Sequence, residues 1–409
     1  MNSIQLFQMA LGIDSPWEIK KINFINNNTD LQELHIDIDF KSGSKFPDEN
    51  GKLCSIHDTK KKTWRHLNFF QHSCYLHCRV PRIKCNDGCV KLIAVPWARP
   101  GSGFTLLFEA YAMALIEKEM PIKKVGELLS ENPHRVWTIF NYWIKKAYAA
   151  DDVTTIKDLG LDETSLRKGH DYITVAVDLE KRRVFHVAEG KDKKAVETVQ
   201  KYLENKGTDA NKIKRASMDM SPSYISGVKT HFPNAEIHFD RFHVVKLLNE
   251  AMDEVRKQER KEHQELKGHK YTFLKNSDSL SASKKSSLNE LIKLFPTLGE
   301  AYRLKEVFND LWDMDSEKDA TAFLVEWCKE VDDKGITPFQ NFVKTIKAHW
   351  SGIVNFCETG INNGILEGIN SKIQLAKRRA RGYRCNKNFI NMIYFMCGKL
   401  KFDYPLYST

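Results

Sequence analysis

The stretch from Ile213 to Lys246, within KIKRASMDMSPSYISGVKTHFPNAEIHFDRFHVVK, constrains the fold more than any other part of the chain. Two short strand-like runs each end on an aspartate, with a connector of helical length between them. Asp219 closes the first run, and Ser221-Pro222 then stops a strand and permits a helix. In the second run Ala235, Ile237 and Phe239 alternate with Glu236, His238 and Asp240, the period of a half-buried strand. Open α/β sheets place their chemistry at the carboxyl ends of such strands. Aspartates also cap helices for purely structural reasons, so the rest of the chain must decide.

The 409 residues, 42% of them hydrophobic, suffice for two to four domains with ordinary cores. A formal charge of +10, from 63 basic and 53 acidic residues, favours a polyanionic partner such as nucleic acid. The first residues, MNSIQLFQMALGID, lack a basic start followed by a long apolar core. No run approaches the roughly 18 apolar residues of a membrane helix. A cytoplasmic, nucleoid-associated protein with no membrane partner is therefore expected. Five of the nine cysteines lie between Cys54 and Cys89, a clustering that points to metal or reduced thiols before disulfides.

In LQELHIDIDF, Leu34, Ile36, Ile38 and Phe40 alternate with His35, Asp37 and Asp39, a strand with one wet face. Residues 46 to 99 are rich in Cys, His, Lys and Trp. Candidate metal ligands are Cys54 and His57, then Cys74, His77 and Cys78, then Cys85 and Cys89. Zinc needs four soft or borderline ligands in a tetrahedron, and Cys54/His57 with Cys85/Cys89 is the most natural set. Buried thiols and surface histidines would give the same pattern. Lys60, Lys61, Lys62, Arg65, Arg79, Arg82 and Lys84 crowd this module, with Trp64 and Tyr75 interleaved, as on a DNA-contacting face. After the hinge ARPGSGFT come helices over Leu106 to Glu119, Pro121 to Ser130 and Pro133 to Ala149, spaced like a helix-turn-helix. On the third, Val136, Ile139, Phe140, Trp143 and Ile144 form the apolar stripe. His134, Arg135, Lys145 and Lys146 stay on the polar side as candidate DNA-binding residues.

Three strands follow, the first ending at Asp162 and the second at Asp178, joined by short turns into an antiparallel meander. A helix over Lys193 to Lys206 leads to the strand ending at Asp219, a helix, the strand ending at Asp240, and a long amphipathic helix. The order βββαβαβα is that of a ribonuclease H-like core, whose first and fourth strands lie side by side. That places Asp162 next to Asp219, and two adjacent carboxylates are ordinarily reconciled by divalent cations. Residues 246 to 355 carry helical periodicity only and read as an all-helical insertion. A helix near Ile365 then puts Glu367, Asn370 or Ser371, Gln374 and Arg378 one turn apart on one face, continued by Lys377, Arg379 and Arg381 as a phosphate-binding ridge. The expected fold is thus multidomain α/β. Its parts are a Cys/His module at 1–99, a helix-turn-helix bundle at 100–150, a first core segment at 151–245, the insertion at 246–355, and a closing core segment at 356–409.

Several ordered motifs resemble the bacterial insertion-sequence transposases of the ISL3 type, in the DDE superfamily. They are Asp219-Met220-Ser221, Asp240-Arg241-Phe242-His243-Val244-Val245-Lys246, Asn363-Gly364 to Glu367-Gly368-Ile369-Asn370, and Lys377-Arg378-Arg379-Ala380-Arg381-Gly382-Tyr383. The likeness extends upstream through Asp162-Glu163 with Lys168-Gly169, Val95-Pro96-Trp97-Ala98, and His57-Asp58 with Thr63-Trp64-Arg65-His66. It implies a catalytic triad of Asp162, Asp219 and Glu367 holding two Mg²⁺ or Mn²⁺ ions, with Glu163, Asp178 and Asp240 as rivals for the acidic roles. It also implies an N-terminal zinc module and a helix-turn-helix that bind terminal inverted repeats in double-stranded DNA. Cleavage at those repeats, transfer to target DNA, and assembly as a dimer or larger follow from the same resemblance. One departure stands out: the C-x2-C pair expected shortly before Cys54 is absent from FPDENGKLC. A DNA-binding regulator without catalysis and a ribonuclease H-like nuclease are the alternatives.

Overall fold

A short helix α1 (Ser3–Ala10) opens the chain, closed by a capping box in which Asn2 and Gln5 exchange side-chain bonds with each other's backbone. The structure is a computed structural model and describes residues 2–26, 32–84, 88–166, 171–359 and 364–404. They divide into two units, Met1–Ala147 with Lys401–Thr409, and Tyr148–Leu400.

In the first unit β1 (Trp17–Asn26), β2 (Gln32–Phe40), β3 (Phe46–Pro47), β4 (Leu53–Cys54), β5 (Ile56–Phe69), β6 (His72–Lys84) and β7 (Val90–Leu92) follow in turn. The main sheet has the order β1-β2-β6-β5, with β7 on the end of β6, and β3 pairs with β4 in a separate ribbon. β2 runs parallel to β6, with Ile36 opposite Leu76, and β5 runs antiparallel to it, with Trp64 opposite Leu76. The alternation expected in β2 sends Leu34, Ile36 and Ile38 into the core. The same alternation governs β6, where Cys74, Leu76, Cys78 and Val80 point inward. Cys74 and Cys78, candidate metal ligands by spacing, are therefore core residues, and burial pushes both thiols up to about 12.

Three helices complete this unit: α2 (Leu106–Glu117), α3 (Ile122–Leu129) and α4 (Pro133–Ala150). Glu109 on α2 is fully buried and accepts hydrogen bonds from Arg99 Nε (2.8 Å), Ser102 Oγ (2.6 Å) and Trp143 Nε1 (2.8 Å). A carboxylate so deep in the core needs such donors, and the Trp143 bond ties α4 to α2. The α3–α4 turn is tight. Ser130 takes a left-handed φ of 53°, and a Cβ at Gly126 would stand 2.7 Å from the Glu131 carbonyl oxygen.

The second unit begins with β8 (Asp158–Ser165), β9 (Tyr172–Asp178) and β10 (Arg183–Glu189). Next come α5 (Lys193–Asn205), β11 (Arg215–Met218), α6 (Pro222–His231), β12 (Glu236–Phe239) and α7 (Arg241–Arg260). The sheet order is β10-β9-β8-β11-β12. The meander β8–β9–β10 is antiparallel, whereas β11 runs parallel to both β8 and β12. Val196, Val199 and Leu203 of α5 cover one face with Tyr224 and Val228 of α6.

From α7 onward the described residues form helices alone: α8 (Lys270–Leu274), α9 (Ala282–Leu294), α10 (Pro296–Phe308), α11 (Glu317–Lys334), α12 (Thr337–Ala348), α13 (Trp350–Thr359), α14 (Gly364–Arg379) and α15 (Asn386–Cys397). The helices from α7 to α13 share a core around Phe308, Trp327, Phe339 and Phe342, and the Trp327 indole N–H bonds the Leu304 carbonyl at 3.0 Å. No described helix is long and apolar enough to cross a membrane.

Candidate active site

The sheet's strand order fixes the centre of the site. β8 and β11 pair in parallel, with Arg215 opposite Asp158 and Ser217 opposite Gly160. Two residues beyond that last pair on each strand come Asp219 and Asp162, and the Asp162 carboxyl feels the Asp219 charge. Asp162 projects from the body of β8, and Asp219 follows β11 directly. Asp219 Oδ1 accepts the Ser221 N–H at 3.0 Å, a local turn that lets Pro222 start α6. Asp240 follows β12 and caps α7, accepting the Phe242 N–H at 2.8 Å. His243, one turn into α7, places Nδ1 3.2 Å from Asp240 Oδ2.

These groups feel one another. Burial pushes the Asp162 carboxyl up to about 6, with Asp240 and Asp219 adding to the rise. The Glu163 N–H, which bonds Asp162 Oδ1 at 2.7 Å, and His243 act against it. The hydrogen bond to Asp240 holds the His243 imidazole above its ordinary range, against the opposing effect of its burial.

α14 lies along β8. Leu366, Ile369, Ile373 and Ala376 form its buried stripe. Gly160 permits the approach, because a Cβ there would meet Leu366 Cδ2 at 2.8 Å. On the neighbouring face Asn370 Nδ2 donates to Asp162 Oδ2, Gln374 Nε2 to Thr164 Oγ1 (2.7 Å), and Lys377 Nζ to the Ser165 carbonyl (2.7 Å). Asn370, Gln374 and Lys377, placed from sequence on a DNA-facing ridge, thus grip the strand that carries Asp162. Asn370 Oδ1 is buried and has no hydrogen-bond partner among the described residues. Glu367, one turn before Asn370, is exposed and lines a cavity together with Asp240.

A divalent cation fits this centre by its donors. Asp162 and Asp219 supply adjoining carboxylates, the Asp162 carboxylate is costly to leave uncompensated, and the orphaned Asn370 oxygen is a hard acceptor beside it. Among the described residues no three His, Cys, Asp or Glu side chains are grouped as they would be around a bound ion. Of the rival acids, Asp178 lies at the far end of β9, near Arg183 and the Lys181 N–H. Glu163 faces Lys191 at 3.4 Å. Spacing did not assign roles to His243 or to the Asn370–Asp162 bond. The i, i+3 relation of Asp240 and His243 on a helix beginning at Arg241 is the signal that was available.

The zinc candidates are dispersed in environment. Cys54 is buried in the β3–β4 ribbon with its thiol 3.5 Å from the Lys52 carbonyl oxygen, while His57 and Cys89 are exposed. Cys85 lies outside the described residues, as do Lys168, Gly169 and Asn363. The cations expected to face DNA separate into three groups. Arg65 is only 2% exposed, its guanidinium bound to Asn68, the His66 carbonyl, the Cys74 carbonyl (3.2 Å) and Ser73 Oγ (3.1 Å). It is a core arginine, because β5 carries it to a buried position beside the end of β6. Arg82 pairs with Asp58, Arg135 with Glu131 (2.6 Å), and Lys146 with Asp403 (2.7 Å). His134, Lys145, Arg378, Arg379 and Arg381 are exposed.

Fold and site together describe a multi-part α/β protein with a helix-turn-helix and with acids on and just after the central strands of its second sheet. The chain belongs to the ISL3 family of transposases. The family's transposase domain matches residues 159–393, its helix-turn-helix domain residues 93–144, and the zinc-finger of transposases IS204/IS1001/IS1096/IS1165 residues 51–89. The chain is 29% identical over 350 residues to the transposase for insertion sequence element IS1001 of Bordetella parapertussis, covering 83% of this chain and 85% of that one. It is 26% identical over 418 residues to the transposase for insertion sequence element IS1557 of Mycobacterium tuberculosis, covering 94% and 93%.

Proposed function

We propose that this transposase cuts and joins DNA at the terminal inverted repeats of its own element with a ribonuclease H-like core. In this reading Asp162, Asp219 and Glu367 are the catalytic acids and hold Mg²⁺ or Mn²⁺, two ions in the working complex. The observation that carries it is the parallel pairing of β8 with β11 through Ser217 and Gly160, which supports a place for Asp219 near Asp162. A bound cation would supply Lewis acidity at the scissile phosphate and a more acidic water.

The chain's own residues prepare that centre. Asn370 holds Asp162 Oδ2 by a hydrogen bond, so α14 and β8 keep a fixed spacing. Asp240 orients His243 toward the acids. Lys377 anchors α14 to Ser165, leaving Arg378 and Arg381 outward for DNA phosphates. Glu367, on the first turn of the same helix, is the third acid. Sequence reading is assigned to α3 and α4, with His134 and Lys145 presented to the duplex. The working protein has five parts, divided at residues 99, 150, 245 and 355, and assembles as a dimer or larger on paired ends. Zinc in residues 51–89 rests on the family likeness. The zinc content of wild type against Cys89→Ser tests that module.

The function is tested by cleavage of a labelled duplex bearing the element's terminal repeat, with Mg²⁺. Wild type should cut at the repeat boundary, while Asp219→Asn and Glu367→Gln should bind equally and not cut. Cutting retained by either variant removes that residue from the triad. Tight binding without cutting by the wild type would instead identify a DNA-binding regulator.

A further inference from the structure

The stretch ARPGSGFT has the proline and glycines of a hinge, yet it is fastened along its length. The Trp97 carbonyl accepts the Leu106 N–H at 2.8 Å, and Arg99 and Ser102 both hold the buried Glu109. Gly103 and Thr105 then pair with β5 as an added strand would. The Arg65 N–H donates to the Gly103 carbonyl at 2.9 Å, and the Arg65 carbonyl accepts the Thr105 N–H at 3.0 Å. A second tie runs through side chains. Glu131, in the α3–α4 turn, has its carboxylate 3.7 Å from Arg65 Nε on one side and accepts a hydrogen bond from Arg135 Nη1 at 2.6 Å on the other. Its side chain is only 7% exposed, so water screens its charge little and these two guanidiniums compensate it. The Arg135 guanidinium also stands 4.2 Å from the ring centroid of Phe104, which stacks on Phe108 of α2.

We propose that the N-terminal sheet and the helix-turn-helix grip one DNA duplex as a single reader, with Glu131 as the positioning residue that sets α4 at a fixed distance and angle from the cations of β5. The proposal rests on the reading of this protein as one that binds the terminal repeats of its element. Side chains two apart on a strand share a face, so Lys61 and Thr63 stand on the same face of β5 as Arg65. The α3–α4 turn packs against that face through Arg65 and Glu131. Lys61 is exposed, opposite Arg79 of β6, and lies four residues, roughly 13 Å, along the strand from Arg65. α4 begins two residues after Glu131 and presents the exposed His134 in its first turn. A helix for the major groove and a basic strand for neighbouring phosphates thus share one side of the unit. Two sites joined without play bind far more tightly than either alone, but only at the spacing that lets both engage. Recognition then includes the distance between the two contacts along the repeat, a length that no base contact encodes.

The test separates spacing from affinity. Hydroxyl-radical footprints of the wild type on the terminal-repeat duplex, without divalent cation, should show two protected segments, one erased in Lys61→Ala and the other in His134→Ala. Duplexes with five base pairs inserted between the segments, half a helical turn, are then titrated beside the intact repeat. Wild type should bind the insertion duplex about a hundredfold more weakly. Glu131→Gln, which removes the charge and keeps the shape, should bind the intact repeat more weakly and show an insertion penalty at least about tenfold smaller. Glu131→Ala should do the same. Loss of folded protein would weaken both duplexes by one factor, so an unchanged penalty in both variants overturns the proposal. A footprint that Lys61→Ala leaves whole also overturns it. Failure of the wild type to bind its terminal repeat at all overturns the end-recognition reading itself, a result separable from the other two.

Discussion

Asn370 donates its carboxamide hydrogen to Asp162 Oδ2, joining α14 to the central strand of a sheet 208 residues earlier in the chain. A hydrogen bond to a charged group contributes about 1.5–3 kcal/mol, and losing it leaves the acceptor desolvated. Asn370→Ala should therefore lower the stability of wild-type protein by about 1–3 kcal/mol near neutral pH, with the penalty shrinking toward pH 4 as Asp162 takes up a proton. Urea unfolding at the two pH values checks this. A penalty independent of pH would mean that the bond does not serve the carboxylate.

Asp162 itself predicts an unusual sign. Its folded value of about 6 lies above the unfolded value of about 3.9, so between these values the folded state binds more protons and stability falls as pH rises. Removing the charge should therefore help. Asp162→Asn should melt higher than wild type at pH 7 without divalent cation, and the gap should close toward pH 4. Adding Mg²⁺ should raise the wild-type midpoint and leave Asp162→Asn unmoved, since a ligand stabilises only the state that binds it. Scanning calorimetry over pH and Mg²⁺ reads both effects, and a variant less stable than wild type at pH 7 would contradict the dominance of burial at this carboxyl.

How much of this is legible in the sequence depends on what each residue type can signal. Asp219 and Asp240 are readable because a strand followed by a helix is written in local periodicity, and the helix carrying Glu367 announces itself by its apolar stripe. The β5–β6 hairpin is not. Its inward positions are filled by Trp64, Cys74, Leu76, Cys78 and Val80, and cysteine in that row reads as a ligand when it is acting as a small hydrophobe. Arg65 misleads for a related reason: a charge in sequence looks like surface, and only the pairing of β5 with β6 reveals the carbonyls that solvate it. The Asn370–Asp162 bond spans too much chain for any periodicity to report.

Glu109 offers a test of the helix-turn-helix scaffold. It is buried against Arg99 and Trp143, so Glu109→Ala strands a largely buried guanidinium and an indole donor together. Removing one partner of a buried pair costs about 3–5 kcal/mol. The variant should lose terminal-repeat binding through unfolding of α2–α4, seen as a lower thermal midpoint. Unchanged melting with lost binding would instead make Glu109 part of the DNA surface.

Arg378 and Arg381 should behave oppositely to Arg65 in DNA binding. The first two are exposed on and just beyond the end of α14, so replacing each by Ala should weaken binding of repeat and unrelated duplexes alike. It should also flatten the salt dependence of log K by about 0.9 for each phosphate that is no longer neutralised. Arg65 instead packs its guanidinium among carbonyls and 5.4 Å from the Tyr75 ring centroid. Arg65→Ala should reduce stability by about 3–5 kcal/mol, as expected when a buried partner is removed, and in the folded fraction leave the salt slope where it was. Binding isotherms at several salt concentrations, paired with unfolding curves, separate the two roles. A reduced slope for Arg65→Ala with unaltered stability would return that arginine to the DNA-facing set.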